Sequence, residues 1–401
     1  LLCFRVRVVV GVICPGGDAL GRLEAVDGPR TDVNDTLLYE YYPDSAAYGN
    51  NRGMLYKVTN ALNQVVEYQE YNELRKAEKI IDPNGIETVL DYDHRGRLIS
   101  RIKGNRTTSY IYDDAGVLQA VDLPDERWLE YDYWPSGRLK TVTDLDGNYR
   151  KLTWDAVGNL QDREVYDAEE TLKAALHYAA DSAGRSWKTW NDIDATETMP
   201  AEELLYDQAG NLKERKTLRE AGTATVLTTG YGYDELNRLT GITDPGSAVA
   251  NTIFGYDTHD NRISVTDSGN VETEFVYDDF GRRTSRISPD SGTTGYTYFP
   301  NDLIQTRTDA DNITLTYQYD ELGRRTGVTP QSGTALSYSY DTLNRLNQIQ
   351  SNSRSYTYAY NGINPLVQSL TRPNGSSTAY LYDSLNRLTS IANKTSANAT
   401  L

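Results

Sequence analysis

In seven copies of a phrase that recurs along this chain, the Asp at its second position is followed four residues later by an Arg: Asp93 and Arg97, Asp181 and Arg185, Asp234 and Arg238, Asp278 and Arg282, Asp320 and Arg324, Asp341 and Arg345, Asp383 and Arg387. At that spacing a carboxylate can accept the backbone N–H groups of a tight loop, or the guanidinium across it. An exposed pair of this kind is worth only about 0–1 kcal/mol, so it selects a turn more than it stabilises a fold. The other groups that could do chemistry are sparse. His94, His177 and His259 are the three histidines, and none stands beside a nucleophile signature. They read as turn or surface residues. No G-x-S-x-G, P-loop, helix-opening G-x-G-x-x-G or H-E-x-x-H motif occurs. Asp144-Leu145-Asp146-Gly147-Asn148 and Asp309-Ala310-Asp311-Asn312 superficially resemble calcium loops, but no Gly sits at the sixth position and no Glu closes a twelve-residue loop. Carboxylates recur so regularly that no glycosidase-like pair can be picked out. The six N-x-S/T matches, at Asn34, Asn105, Asn312, Asn374, Asn393 and Asn398, are chance-level in so Asn- and Thr-rich a chain. Catalytic, cofactor-binding and metal-binding residues are therefore expected to be none, and the chain is read as no enzyme.

The elements that position the Asp–Arg pairs come from a repeat. Tyr319-Asp320-Glu321-Leu322-Gly323-Arg324 returns as Tyr340-Asp341-Thr342-Leu343-Asn344-Arg345, a period of 340 − 319 = 21 residues. Periods of that size mark repeat architectures. The phrase begins at Tyr92, Tyr112, Tyr133, Trp154, Ala180, Tyr206, Tyr233, Tyr256, Tyr277, Tyr298, Tyr319, Tyr340, Tyr360 and Tyr382, with degenerate copies near Gly17, Tyr42 and Tyr71. Four residues into each phrase stands only Gly, Asn or Asp: Gly96, Gly116, Gly137, Gly158, Gly184, Gly210, Asn237, Asp260, Gly281, Asp302, Gly323, Asn344, Asn364 and Asn386. These residues enter the left-handed region at least cost, so the site requires a positive φ.

Aromatic residues alternate ahead of that site, as in Tyr296 and Tyr298, Tyr317 and Tyr319, or Tyr356, Tyr358 and Tyr360. A period of two places them on one face of a strand, and each phrase becomes a hairpin corner. About ten residues later a second turn signal follows, as in Asp82-Pro83-Asn84-Gly85 or Arg372-Pro373-Asn374-Gly375. Two turns per period imply two strands per repeat.

Bulk composition fits such an array. Of 401 residues, 38% are hydrophobic, and 31 are Tyr against 5 Phe and 5 Trp. A buried Tyr needs a partner for its hydroxyl, so the excess suits stacked strands whose rungs meet water along a rim. A net charge of −17 and a pI near 4.7 argue against nucleic acid and anionic membrane surfaces as partners. Cys3 and Cys14, the only cysteines, decide little about redox compartment.

Taken in order, residues 1–16 are an irregular apolar segment, too short in its apolar part to span a bilayer. Residues 17–390 are one repeat domain, and 391–401 a polar tail that stops within a repeat, as a fragment would. The start of the array, to about residue 70, reads as irregular and loop-rich, with Ala46-Ala47-Tyr48-Gly49-Asn50-Asn51 stretching one copy. Within 155–232 the phrase intervals widen to 26, 26 and 27 residues. The added stretches, around Ala168–Ala175, Asp194–Glu203 and Lys213–Thr223, read as longer hairpins or one-turn helical excursions, and an individual binding surface would lie there.

The phrases YDELGRRTGVTP, YDELNRLTGITDPG and YDHRGRLISRI resemble the YD repeats of the Rhs family, over nearly the whole chain from about Gly17. That family includes bacterial polymorphic toxins, the C component of insecticidal toxin complexes, wall-associated proteins and teneurins. The resemblance implies an all-β fold, an array of antiparallel β-hairpins forming a spiralling, curved sheet that is part of a hollow shell. It also implies a C-terminal toxin or effector domain as the enclosed partner in many members, together with other shell segments of the same polypeptide, and surface glycans or proteins as partners in others. The Pro- and Asp-containing segment that cleaves itself in the toxin branch has no counterpart after Tyr382, so self-cleavage maps onto no residue of this chain. Two readings follow: a non-enzymatic scaffold, secreted or at a bacterial cell surface, that encapsulates or presents another domain; or a surface adhesion module whose Tyr-rich rims contact sugars or proteins.

Overall fold

The computed structural model describes residues 18–399, apart from 125, 195–196, 199–201, 219–225, 363, 384–385 and 398. Cys3, Cys14 and the apolar opening segment lie outside the described residues. The fold is all-β: 34 strands of two to nine residues, and one short 3-10 helix, Ala46–Asn51, among the described residues. Consecutive strands pair antiparallel. The strand Thr314–Tyr319, for example, pairs with Arg325–Pro330 through Leu315↔Pro330, Tyr317↔Val328 and Tyr319↔Arg325. Along it the odd-numbered positions from Leu315 are half-buried and Thr316 and Gln318 exposed, as a period of two requires.

Register slips by one residue just before the aromatic of the phrase, between Gln318 and Tyr319. The same slip precedes Tyr92, Tyr133, Trp154, Tyr206, Tyr256 and Tyr382. Such a bulge twists the strand and re-aims one side chain without ending the ladder. It turns each phrase aromatic toward the preceding hairpin. At thirteen of the phrase positions that require it, φ runs from +61° at Asn237 to +101° at Gly158. The degenerate copy at Tyr71 uses Arg75 there, at +59°. A side chain with a Cβ stores strain at such a φ.

One stretch differs from what sequence suggests, and another settles between its two alternatives. The residues stretching the Tyr42 copy form the 3-10 helix, because Ser45 caps it by accepting the Ala47 N–H. Of the two alternatives for the added stretches, the described residues take longer hairpins: Leu172–Ala180 and Ser186–Asp194 are nine-residue strands, paired from Ala175↔Asp192 to Ala180↔Ser186. Extra residues there extend the ladder, which gives added N–H and C=O groups cross-strand partners.

Two compact units are distinguished, one of Tyr110–Thr293 and one of the flanking segments, up to Ser109 and from Thr294 onward. Within the described residues Tyr71, Val121 and Ala175 are the buried apolar side chains, and none is fully sealed. Side chains therefore gain most of their burial from cross-strand neighbours on the same face, the usual unit of sheet stabilisation. Within the unit of flanking segments, loops and turns far apart in sequence also meet. Arg30 Nη1 donates to the Asp320 carbonyl at 2.7 Å, and Gln64 Nε2 to the Thr342 carbonyl at 3.1 Å.

Candidate functional site: the stitched turn edge

Most phrase turns are closed the same way; the copy at Tyr360 is one residue longer, with the Asn361 N–H on the Leu366 carbonyl at 3.1 Å. In the copy at Asp93, the Asp93 N–H donates to the Arg97 carbonyl at 3.0 Å and the Gly96 N–H to the Asp93 carbonyl at 2.8 Å. This is a three-residue loop, a type I turn completed by a left-handed residue. Asp93 Oδ1 accepts the Arg95 and Arg97 N–H groups at 2.9 Å each, while Oδ2 accepts Arg97 Nε at 2.6 Å. The two alternatives offered by the sequence are thus realised together, one on each carboxylate oxygen. The pattern repeats at Asp181, Asp234, Asp320, Asp341 and Asp383. Asp18 and Arg22, in the copy without an aromatic, make it too. Charge follows from the geometry: the Arg97 amide, joined by its guanidinium, holds the Asp93 carboxyl below the usual range, and at Asp181 the Arg185 guanidinium leads. Where the fourth residue is Asn, as at Asn159, Asn211 and Asn261, its amide replaces the guanidinium.

Arg then links one repeat to the next. The guanidinium of Arg238 lies over the Tyr256 ring at 4.9 Å and donates to the Asp257 carbonyl at 3.0 Å and to Asp260 Oδ1 at 2.8 Å. Arg324 stacks on Tyr340 at 4.4 Å and reaches Asn344; Arg345 stacks on Tyr360 at 4.3 Å and reaches the carbonyls of Gly362 and Asn364. Cation–π contacts that also carry hydrogen bonds hold planar guanidinium groups well.

The phrase tyrosines complete the link. Tyr133 Oη donates to the Leu118 carbonyl at 2.9 Å, Tyr233 to Leu212 at 2.9 Å, Tyr256 to Leu239 at 2.8 Å, Tyr340 to Arg325 at 2.8 Å and Tyr360 to Leu346 at 2.6 Å. Trp154 does the same through Nε1 to the Leu139 carbonyl at 2.8 Å. In each case the acceptor lies six residues into the preceding phrase. These hydroxyls bond the backbone of the previous repeat rather than water at a rim. Sequence reading identified the need for a partner but not this one, since the acceptor is a main-chain group that carries no sequence signature.

Arg30 is the most buried of the linking cations, with 6% of its surface exposed. It pairs with Asp32 at 2.7 Å, caps the Asp320 carbonyl and lies over Phe299 at 5.3 Å. The Asp32 bond, against burial, pushes its guanidinium up from the ordinary value.

The histidines divide. His94 and His259 lie exposed in phrase turns, as turn or surface residues should. His177 does not: it sits in the strand Leu172–Ala180, its Nδ1 2.7 Å from Asp162 Oδ1 and its ring stacked on Trp190 at 5.2 Å. Asp162 also accepts from the Thr153 hydroxyl. Burial raises the Asp162 pKa, but the Thr153 and His177 bonds outweigh it and leave the carboxyl low. Here the carboxylate stands between hydroxyl and imidazole, whereas nucleophilic activation needs the imidazole in the middle. Among the described residues no group of three or more His, Cys, Asp or Glu is placed to hold a metal ion. No helix among them is long and apolar enough to cross a membrane.

This geometry defines a class: an all-β repeat protein of antiparallel hairpins stitched turn to turn by Asp, Arg and Tyr. The RHS Repeat family model matches residues 206–249, 256–294 and 300–335, in line with the resemblance of the repeated phrases to YD repeats. No curated protein matches it. Among solved structures, the crystal structure of TcdB2-TccC3-Cdc42 is similar with a TM-score of 0.70 at 13% identity, covering 98% of this chain and 24% of that one. TcdB2-TccC3 gives 0.57 at 14% identity, over 97% of this chain and 24% of that one. The Tc holotoxin pore of Photorhabdus luminescens gives 0.53 at 16% identity, over 91% and 22%. At these identities the likeness is one of fold, and the chain spans about a quarter of the length of the chains it matches.

Proposed function

We propose that this chain is a structural segment of a YD-repeat shell, exported or displayed at a bacterial surface, whose work is to enclose or present another domain of the same polypeptide. The observation that carries this reading is the stitched edge. Among the described residues, repeat after repeat closes its own turn with Asp and Arg or Asn and reaches its neighbours through Arg–Tyr stacks and Tyr–carbonyl bonds, and these groups are spread along the edge rather than gathered at a reacting centre. A wall needs that arrangement and an active site does not. The fold shared with toxin-complex structures supports the same reading. The repeat region, 17–390 with its longer repeats at 155–232, would form the wall, and function would reside in what the wall holds.

Limited proteolysis with mass spectrometry, on the full-length gene product with its natural flanks, tests this. Enclosure predicts a resistant repeat core with a protected C-terminal fragment still bound to it. A resistant core whose flanking segments are freely digested would instead make the array an open scaffold.

A further inference from the structure

Tyr149 and Tyr166 stand directly opposite each other on the paired strands Tyr149–Trp154 and Leu160–Tyr166. Their rings are stacked, with centroids 4.8 Å apart and planes 11° from parallel. The rings of Tyr42 and Tyr56 come as close, at 4.7 Å, but are tilted by 46°. Neither Tyr149 nor Tyr166 is a phrase aromatic. Tyr149 follows a second turn, closed by the Asp144 N–H on the Asn148 carbonyl at 2.9 Å, and Tyr166 precedes the next one, closed by the Asp167 N–H on the Thr171 carbonyl at 3.1 Å. The difference is chemical as well as positional. Phrase tyrosines spend their hydroxyls on backbone carbonyls, as at Tyr133, Tyr233 and Tyr256. Among the described residues, the hydroxyls of Tyr149 and Tyr166 do not.

A carboxylate stands beside Tyr166 instead. Glu164, two residues earlier, is paired with Lys151 at 3.1 Å, and that lysine lies over the Tyr166 ring at 5.9 Å. Burial first, and then the charge and hydrogen bonding of Glu164, push the Tyr166 hydroxyl up from its ordinary value. The phenol therefore stays protonated at neutral pH and has a proton acceptor next to it. Both tyrosines are half-buried, so each ring keeps part of its surface open to small reagents.

A phenol that loses an electron becomes strongly acidic and sheds its proton to the nearest base. Two phenoxyl radicals held in a stack then combine at ring carbons ortho to oxygen. We infer that Tyr149 and Tyr166 form an oxidative cross-linking site, closed into a dityrosine bridge when a haem peroxidase supplies the oxidising power of hydrogen peroxide. Each ring gives up one electron and its hydroxyl proton, that of Tyr166 passing to Glu164. The radicals form one Cε–Cε bond, and the hydrogen on each bonded carbon moves to the oxygen of its own ring, which restores both phenols. The two electrons and two protons removed reduce one peroxide to two waters. Cys3 and Cys14 are the only cysteines, so no disulfide can join strands of the repeats, and this bridge supplies the missing kind of staple. Like a disulfide, it restricts the unfolded chain, closing a loop of 166 − 149 = 17 residues where the longer repeats begin.

The test treats the full chain with a haem peroxidase and limiting hydrogen peroxide, and reads dityrosine fluorescence together with a tryptic digest by mass spectrometry. Tyr149 lies in the peptide 141–150 and Tyr166 in the peptide 164–173, so the bridge joins two separate peptides, at their summed mass less two hydrogen atoms. Three variants accompany it: Tyr166→Phe, which keeps the ring stack, Tyr42→Phe and Glu164→Gln. The proposal expects the bridge between 149 and 166 to be about tenfold more abundant than any other tyrosine pair, at a yield per chain that does not depend on protein concentration. Tyr166→Phe should lose the bridge, Tyr42→Phe should keep it, and Glu164→Gln should form it at least threefold more slowly. The proposal is overturned if no dityrosine forms, if another pair dominates, or if the yield climbs with protein concentration, which would place the bond between copies. A parental rate in Glu164→Gln overturns the part given to that carboxylate.

Discussion

In the unit that includes Thr294 onward, the turns at Asp320 and Asp341 carry a second layer: Arg30 caps one and Gln64 the other, and the tip residues Leu322 and Leu343 are half-buried. In the unit Tyr110–Thr293, the turns at Asp155, Asp234 and Asp278 are built from the same bonds, yet their tip residues Val157, Leu236 and Phe280 are 80%, 67% and 59% exposed. The turn therefore needs only its own residues and its neighbours in the ladder. Cover is a separate, tertiary property. The lesson is that the repeat signature specifies the edge, and a few non-repeat residues decide whether the edge is sealed.

Alkaline pH should act on both units at once and have the largest effect, because it attacks what they share. Burial, with the nearby Tyr68 and Tyr42, pushes the Tyr71 hydroxyl up to about 12, and Tyr133, Tyr233, Tyr340 and Tyr360 are raised as well, burial leading in each. A folded pKa above the unfolded value of 10.0 contributes stability that is complete below pH 10 and lost as pH rises toward 12. Deprotonation also removes the donors to the strand carbonyls. Circular dichroism between pH 9 and 12 should show cooperative loss of strand signal across that window, and a flat profile to pH 12 would break the ladder argument.

Arg30→Met should separate the units. It removes a buried guanidinium from the Asp320 carbonyl and leaves Asp32 unpaired; because Asp32 is half exposed, the cost should be about 2–3 kcal/mol, below that of a sealed pair. Hydrogen exchange should quicken at the amides around Asp320 and remain unchanged around Asp234. Equal quickening in both would mean that Arg30 supports more than its own unit.

Asp278→Ala and Asp341→Ala supply the control. Asp278 accepts the Phe280 and Arg282 N–H groups at 3.0 and 2.9 Å and Arg282 Nε at 2.8 Å; Asp341 accepts its counterparts at 2.9, 2.9 and 2.7 Å. Each loss resembles that of a helix N-cap, about 1–2 kcal/mol, and the two should agree in urea melts if the turn is autonomous. A markedly larger cost at Asp341 would make the cover part of the turn.

What was legible in sequence follows the same division. Gly323 or Asn344 at the phrase position announces a positive φ, and Asp320 four residues before Arg324 announces the loop, because local backbone chemistry allows few other residues there. Tyr340 gives no hint that its hydroxyl meets the Arg325 carbonyl, since any residue supplies a carbonyl. Arg30 lies in the stretch that reads as irregular and carries no signal of its own; only the 290 residues that separate it from Asp320, closed by the fold, make it a cap. His177 was misread for the same reason: its Asp162 partner lies on the neighbouring strand, 15 residues away.

The smallest effects discriminate most sharply between local and tertiary causes. Leu236→Lys replaces a tip side chain that is already mostly in water, and its stability should stay within about 0.5 kcal/mol of the parent. Leu343→Lys alters the equivalent position beside the turn that Gln64 caps at Thr342. There the change gives up part of an apolar contact, and about 1 kcal/mol should be lost, with protection falling at the Thr342 and Leu343 amides. The two variants share residue type, position in the phrase and turn geometry. A difference between them must therefore come from the second layer. Equal and negligible losses would reduce that layer to the single hydrogen bonds of Arg30 and Gln64, with no apolar seal behind them. Equal and substantial losses would instead give Leu236 a partner in solution, such as a second copy of the chain, which the dependence of its melting temperature on protein concentration would reveal.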